Sequence, residues 1–149
     1  MTLYNRQPRR IENRLYEFVE GCLRDYHTNI RDLRSRIEYL EAIAEKSPSA
    51  FDDKGQVQGN AETCPLQRTI ETIDDDAEVA RLRRRTEPIT YFLTLLDPND
   101  YEFIERRYFK LQAWQDVCID LHIEPTTAKN RWRPRLIKRL AKLMLGKIV

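Results

Sequence analysis

The apolar residues between positions 11 and 44 constrain this chain more than any other feature. They stand at Ile11, Leu15, Phe18, Cys22, Tyr26, Ile30, Leu33, Ile37, Leu40 and Ala44, and residues 9–46 contain no proline and one glycine, Gly21. Steps of three and four put these positions along one side of an α-helix in a seven-residue pattern. An additional step of four near Tyr26 is a stutter. At 1.5 Å per residue, one helix over 9–46 would run about 55 Å. A stripe that long and narrow needs an equally long partner.

The sequence offers one. A second seam at Leu66, Ile70, Ile73, Ala77 and Ala80 predicts a helix folding back antiparallel on the first. Between the seams, residues 47–65 hold Ser47-Pro48-Ser49, Asp52-Asp53-Lys54-Gly55 and Gly59-Asn60, which predicts a mobile connector. Pro88 interrupts the second run, and apolar positions resume at Ile89, Phe92, Leu93 and Leu96 without turn residues, so a kink at Pro88 is expected. Phe18, Val19, Leu23, Val79 and Leu82 widen the stripe beyond a two-helix seam. That excess favours a homo-oligomer.

Punctuation changes after Leu96. Asp97-Pro98 pairs a capping acid with a proline at the first helical position, opening a short helix over 99–109. A turn over 110–113 leads to a second short helix at 114–121. His122-Ile123-Glu124 then separates it from a helix running from Pro125 to about Leu145. No segment alternates as a strand would. The expected fold is all-α: a coiled-coil-like helical hairpin for assembly and protein contact over 1–96, then a helix-turn-helix domain over 97–149.

Charge separates the same two regions. The net charge is only +2, yet the last 25 residues carry eight basic side chains and no acid, leaving −6 on the first 124. Such a segment suits a polyanion. Four glycines argue against a Gly-rich nucleotide-binding fold, and no apolar run approaches the length of a membrane helix. The N-terminus lacks an apolar signal core, so the expected location is cytoplasmic. Cys22, Cys64 and Cys118 are far apart with no zinc-ligand spacing, so neither a structural disulfide nor a metal site is expected. The run Asp74-Asp75-Asp76 reads as a solvated patch near Arg81, Arg83, Arg84 and Arg85, because consecutive helical residues do not face one another. His27 and His122 lack an acid–nucleophile arrangement, and no catalytic site or cofactor is expected.

Helical spacing sorts the last helix. Ala128, Trp132 and Leu136 should face the preceding helices, leaving Thr126, Lys129, Asn130 and Arg133 on the opposite side. Those side chains suit base edges and phosphates in a DNA major groove. Arg131 adds charge at the reading end, while Arg135 and Lys138 lie beyond Pro134, where phosphate contact is expected. Trp114 and Trp132 read as core anchors rather than base-stacking platforms.

The stretches 103–109, Trp114-Gln115-Asp116-Val117-Cys118-Ile119-Asp120-Leu121-His122-Ile123 and Thr127-Ala128-Lys129-Asn130-Arg131-Trp132 resemble the helix-turn-helix of sigma-70 region 4. By architecture the whole chain resembles the RinA/ArpU-type phage late-gene activators. That resemblance implies a transcriptional activator in the host bacterial cytoplasm, with promoter double-stranded DNA and host RNA polymerase as partners. It puts Cys118 at a small buried position of the first helix and Thr127, Lys129 and Asn130 at recognition positions. Three residues depart from the pattern. His122 replaces the turn glycine, Glu124 replaces the Ser or Thr cap, and Pro134 lies inside the recognition helix, where a kink is expected. Two other functions fit a helix-turn-helix joined to long helices: a phage small terminase subunit and an RNA-polymerase-binding factor.

Overall fold

The computed structural model describes residues 6–46 and 64–146, with side chains described from residue 12 onward. Among these residues the fold is all-α. Helices α1 (Arg6–Arg24), α2 (Tyr26–Glu45), α3 (Pro65–Asp75) and α4 (Ala77–Leu95) are followed by α5 (Pro98–Ile104), α6 (Trp114–Leu121), α7 (Pro125–Thr127) and α8 (Arg133–Leu145). Two π-helical turns extend this series: Glu105–Phe109 continues α5, and Ala128–Trp132 joins α7 to α8. Most of the connector expected over 47–65 falls outside the described residues. Its last two residues start α3, where the Cys64 Sγ accepts the Gln67 N–H at 3.3 Å and Pro65 fills the first turn.

The first long helix is not continuous. A turn at Asp25 separates α1 from α2 where the stutter lies, although the Asp25 N–H still reaches the Gly21 carbonyl at 3.0 Å. The second seam also breaks, at Asp76. This residue leaves the helical conformation (ψ 125°) and its side chain takes the Val79 N–H at 3.0 Å, capping α4. Past that break the buried positions shift from the expected Ala77 and Ala80 to Val79, Leu82, Thr86 and Ile89. α4 then runs through Pro88 without interruption.

The chain divides into two compact units, 1–27 with 85–149, and 28–84. A boundary at 96/97 therefore does not describe it, because α1 belongs with the helix-turn-helix. In the unit of 28–84, Leu40, Ile73 and Val79 form a small core flanked by Leu33 and Ile37. Arg36 closes a two-point ion pair on Asp76, and Arg83 reaches Asp74 at 2.9 Å. Two members of the acidic run are thus capping and pairing groups.

The other unit has the larger core. Tyr16, Val19 and Leu23 of α1 are buried, as are Ile89 and Phe92 of α4, Phe103, Ile104, Tyr108, Val117, Cys118, Ala128, Leu136, Ile137, Leu140 and Ala141. Cys22 and Tyr26 of the expected seam are buried, but at its Phe18 position the covered residue is the next one: Val19 is fully buried, whereas Phe18 is 44% exposed. Each large side chain so enclosed contributes about 1.5–3 kcal/mol relative to exposure. The widened stripe is consumed inside the chain, since Val19, Leu23, Val79 and Leu82 are all buried. It therefore no longer argues for an oligomer.

Local chemistry sets the remaining boundaries. Asp97 caps α5 through the Asp100 N–H at 2.9 Å, with Pro98 in the first turn. α6 ends on His122 in the left-handed region (φ 56°, ψ 45°), with the Ile123 N–H on the Cys118 carbonyl at 3.0 Å. α8 ends on Gly146 at φ 65°.

Candidate nucleic-acid interface

α6, the three-residue turn and α7 form the helix-turn-helix. Its interior is aromatic: the Phe103 ring lies 5.8 Å from Trp114 and 5.6 Å from Trp132, centre to centre. Both tryptophans are half-buried and pack against Phe103. Ala128 and Leu136 are fully buried beside them, so one face of the last helix is committed to packing.

The expected interruption at Pro134 takes the form of a π turn. Proline has no N–H for the Asn130 carbonyl, and its ring crowds that oxygen. The Arg133 N–H instead reaches back five residues to Ala128, which widens the turn ahead of the proline and lets the helix continue to Leu145.

The eight expected DNA-contact residues separate into two groups. Thr126, Lys129, Asn130 and Arg131 are exposed and Thr127 is half-buried. Lys129 lies 6.0 Å from the Trp114 ring centre, and Arg131 has no ion pair among the described residues. This surface offers an amide, hydroxyls and cations, the donor and acceptor set that reads base edges and phosphates.

Arg133, Arg135 and Lys138 are held by acids of the chain itself. Arg133 grips Glu20 of α1 through Nη2 at 2.6 Å and Nε at 3.2 Å and lies over the Tyr16 ring at 5.5 Å. Arg135 grips Asp100 of α5, and Lys138 Nζ stands 3.5 Å from Glu12 Oε1. Arg133 was expected on the outward face; its bidentate bond turns it inward, against Glu20 of α1.

Electrostatics agree with this division. Burial pushes the Glu20 carboxyl up, but the hydrogen bonds from Arg133 and Tyr108 outweigh it and hold the group below its ordinary range. The same bond to Glu20 raises Arg133, and the bond to Asp100 raises Arg135. Burial, then the Glu20 charge and hydrogen bond, push the Tyr108 hydroxyl far above its usual value. All of these groups are therefore locked in one protonation state at neutral pH.

Glu20, Asp100 and Tyr108 are the supports of the last helix that spacing alone does not reveal. The signal for Glu20 was present: it stands at helical spacing between Tyr16 and Leu23, an acid inside an apolar face. Arg139 and Lys142 are exposed further along α8 and extend the outward basic stripe begun by Arg131. Among the described residues, no group of three or more His, Cys, Asp or Glu side chains is placed to hold a metal ion, and no helix is long and apolar enough to cross a membrane.

Residues 16–142 match the model of a family described as protein of unknown function, DUF722. No curated protein and no solved structure matches the chain.

Proposed function

We propose that this chain, which belongs to the DUF722 family, is a sequence-specific DNA-binding regulator of transcription, an activator of phage late genes working in the host cytoplasm. The observation that carries this is the outward surface at the start of the last helix. Thr126, Lys129, Asn130 and Arg131 stand exposed directly after a left-handed helix-turn-helix corner, on a helix whose opposite side is locked into the core. A surface that polar on so firmly seated a helix suits a major groove, where Asn pairs with adenine and Lys or Arg with guanine. Arg131, Arg139 and Lys142 would follow the phosphates.

Footprinting against phage promoter fragments tests this. A discrete protected site should appear and be lost in the double variant Lys129→Ala with Asn130→Ala, at about 1–3 kcal/mol per base contact. Protection without preference, sensitive only to salt, would count against sequence-specific regulation.

The helices of residues 28–84 support a protein-contact role, because Tyr39, Ile43, Leu66 and Ile70 are exposed large apolar side chains. Host RNA polymerase and a second copy of the chain are the partners proposed for them. A small terminase subunit would use the same residues to close a ring, and a mass measurement of the free protein separates that reading from an activator.

A further inference from the structure

We infer that Glu20 is the positioning residue of the DNA-reading helix: its carboxylate on α1 holds the π turn that sets how Lys129 and Asn130 are presented. This rests on the DNA-binding function proposed above.

Glu20 is 4% exposed and its carboxylate takes three hydrogen bonds: Tyr108 Oη at 2.7 Å, Arg133 Nη2 at 2.6 Å and Arg133 Nε at 3.2 Å. The donors come from the first π-helical segment and from the residue that closes the second. Tyr108 lies within the first, and Arg133 closes the second through its backbone N–H to Ala128. One buried carboxylate thus ties α1 to both irregular turns.

The geometry of a π turn makes this tie consequential. It places one more residue in a turn than an α-helix does, so residues before it are rotated by roughly 100° relative to an unbroken α-helix. The orientation of 126–130 against α8 therefore depends on which register the turn adopts. Pro134 lowers the cost of the π register by removing the donor that an α-helical turn would direct at Asn130. In the register observed here Arg133, the first residue past the turn, reaches Glu20 with its guanidinium over the Tyr16 ring. A buried ion pair is seldom the most stabilising way to fill a core, but an arrangement that separates its partners leaves a buried charge uncompensated.

The experiment compares full-length wild type with Glu20→Gln, Arg133→Met and their double variant. It measures affinity for the DNA site selected by the wild type, the salt dependence of that affinity, and amide hydrogen exchange over 128–133. A positioning role predicts a roughly tenfold loss for each single variant, a double variant no worse than the weaker single, an unchanged salt slope and faster exchange over 128–133. The inference is overturned if Arg133→Met lowers the salt slope by about one while Glu20→Gln tightens binding, since Arg133 would then be a phosphate contact that Glu20 restrains. Unchanged exchange in folded Glu20→Gln overturns it equally. If the wild type selects no site, the DNA-binding function fails, and the exchange comparison alone decides whether Glu20 holds the turn. If Glu20→Gln does not fold, Tyr108→Phe, which removes one bond to the carboxylate and keeps the ring, must show the same change in exchange at smaller size.

Discussion

Arg135 of the last helix meets Asp100 of α5 through two parallel bonds, Nη2 to Oδ1 at 2.8 Å and Nη1 to Oδ2 at 3.1 Å. Asp100 is 5% exposed, and the guanidinium lies 5.7 Å from the Trp132 ring centre, so one arginine fastens the helix to α5 and covers an aromatic anchor. Arg135→Met keeps the contact with the ring but strands a buried carboxylate. It should cost about 1–3 kcal/mol in chemical denaturation, with the pair's half-exposed side already discounted. A loss indistinguishable from zero would mean that the pair does not seat the helix.

The basic side chains of the last helix are predicted to be unequal toward DNA. Arg131, Arg139 and Lys142 are exposed and have no ion pair among the described residues, whereas Arg133 and Arg135 are neutralised by buried acids. Replacing any of the first three by alanine should lower the slope of log affinity against log salt by about 0.9. The same change at Arg135 should leave the slope untouched. Titrations at several salt concentrations measure both.

Two residues occupy the left-handed region without being glycine: Leu111 at φ 57° and His122 at φ 56°. Both end helical segments. The Gln112 N–H bonds to the Arg106 carbonyl at 2.9 Å, as Ile123 does to Cys118. A side chain with a Cβ costs about 1 kcal/mol there, partly offset by glycine's greater freedom in the unfolded chain. Leu111→Gly should therefore raise stability by roughly 0.5–1 kcal/mol, helped by a side chain that is 62% exposed, and His122→Gly by somewhat less. Thermal melts decide this, and a fall in Tm for Leu111→Gly would show that its exposed side chain has a packing role.

Much of the C-terminal half was legible in sequence. Asp97-Pro98 announced its own cap, the 114–121 apolar pattern marked α6, and His122 stood where a left-handed corner is required. These signals are local, set by residues within one turn of one another. What escaped was of two kinds. Breaks at Asp25 and Asp76 have no proline or glycine beside them, so a period of three and four ran across them unbroken. Asp76 breaks the helix because its side chain caps α4 and pairs with Arg36, 40 positions away. The other kind is long-range pairing: Arg133 and Glu20 are 113 positions apart. Nothing near Arg133 distinguishes an arginine that binds phosphate from one that binds a carboxylate, and so α1 was assigned to the hairpin rather than to the helix-turn-helix.

Acid should release the Glu20 clamp. Its folded carboxyl is held below the ordinary range against its own desolvation by Arg133 and Tyr108, with Arg24 adding a smaller favourable charge. The native state therefore binds the proton less readily than the unfolded chain, and the contribution is complete above the ordinary glutamate range and lost as pH falls through the folded value. The stability difference between wild type and Glu20→Gln should be constant from pH 8 to about 5 and shrink in more acidic solution. A difference that grows as pH falls would reverse the sign and contradict the clamp.

The most direct test is selection of bound fragments from a random DNA pool, with the wild type beside the Lys129→Ala, Asn130→Ala double variant. The wild type should enrich a single defined sequence and the double variant should lose that preference while keeping its salt-dependent background affinity. A wild type that enriches no sequence, retaining all DNA equally, would contradict the assignment of the exposed start of the last helix as a base-reading surface.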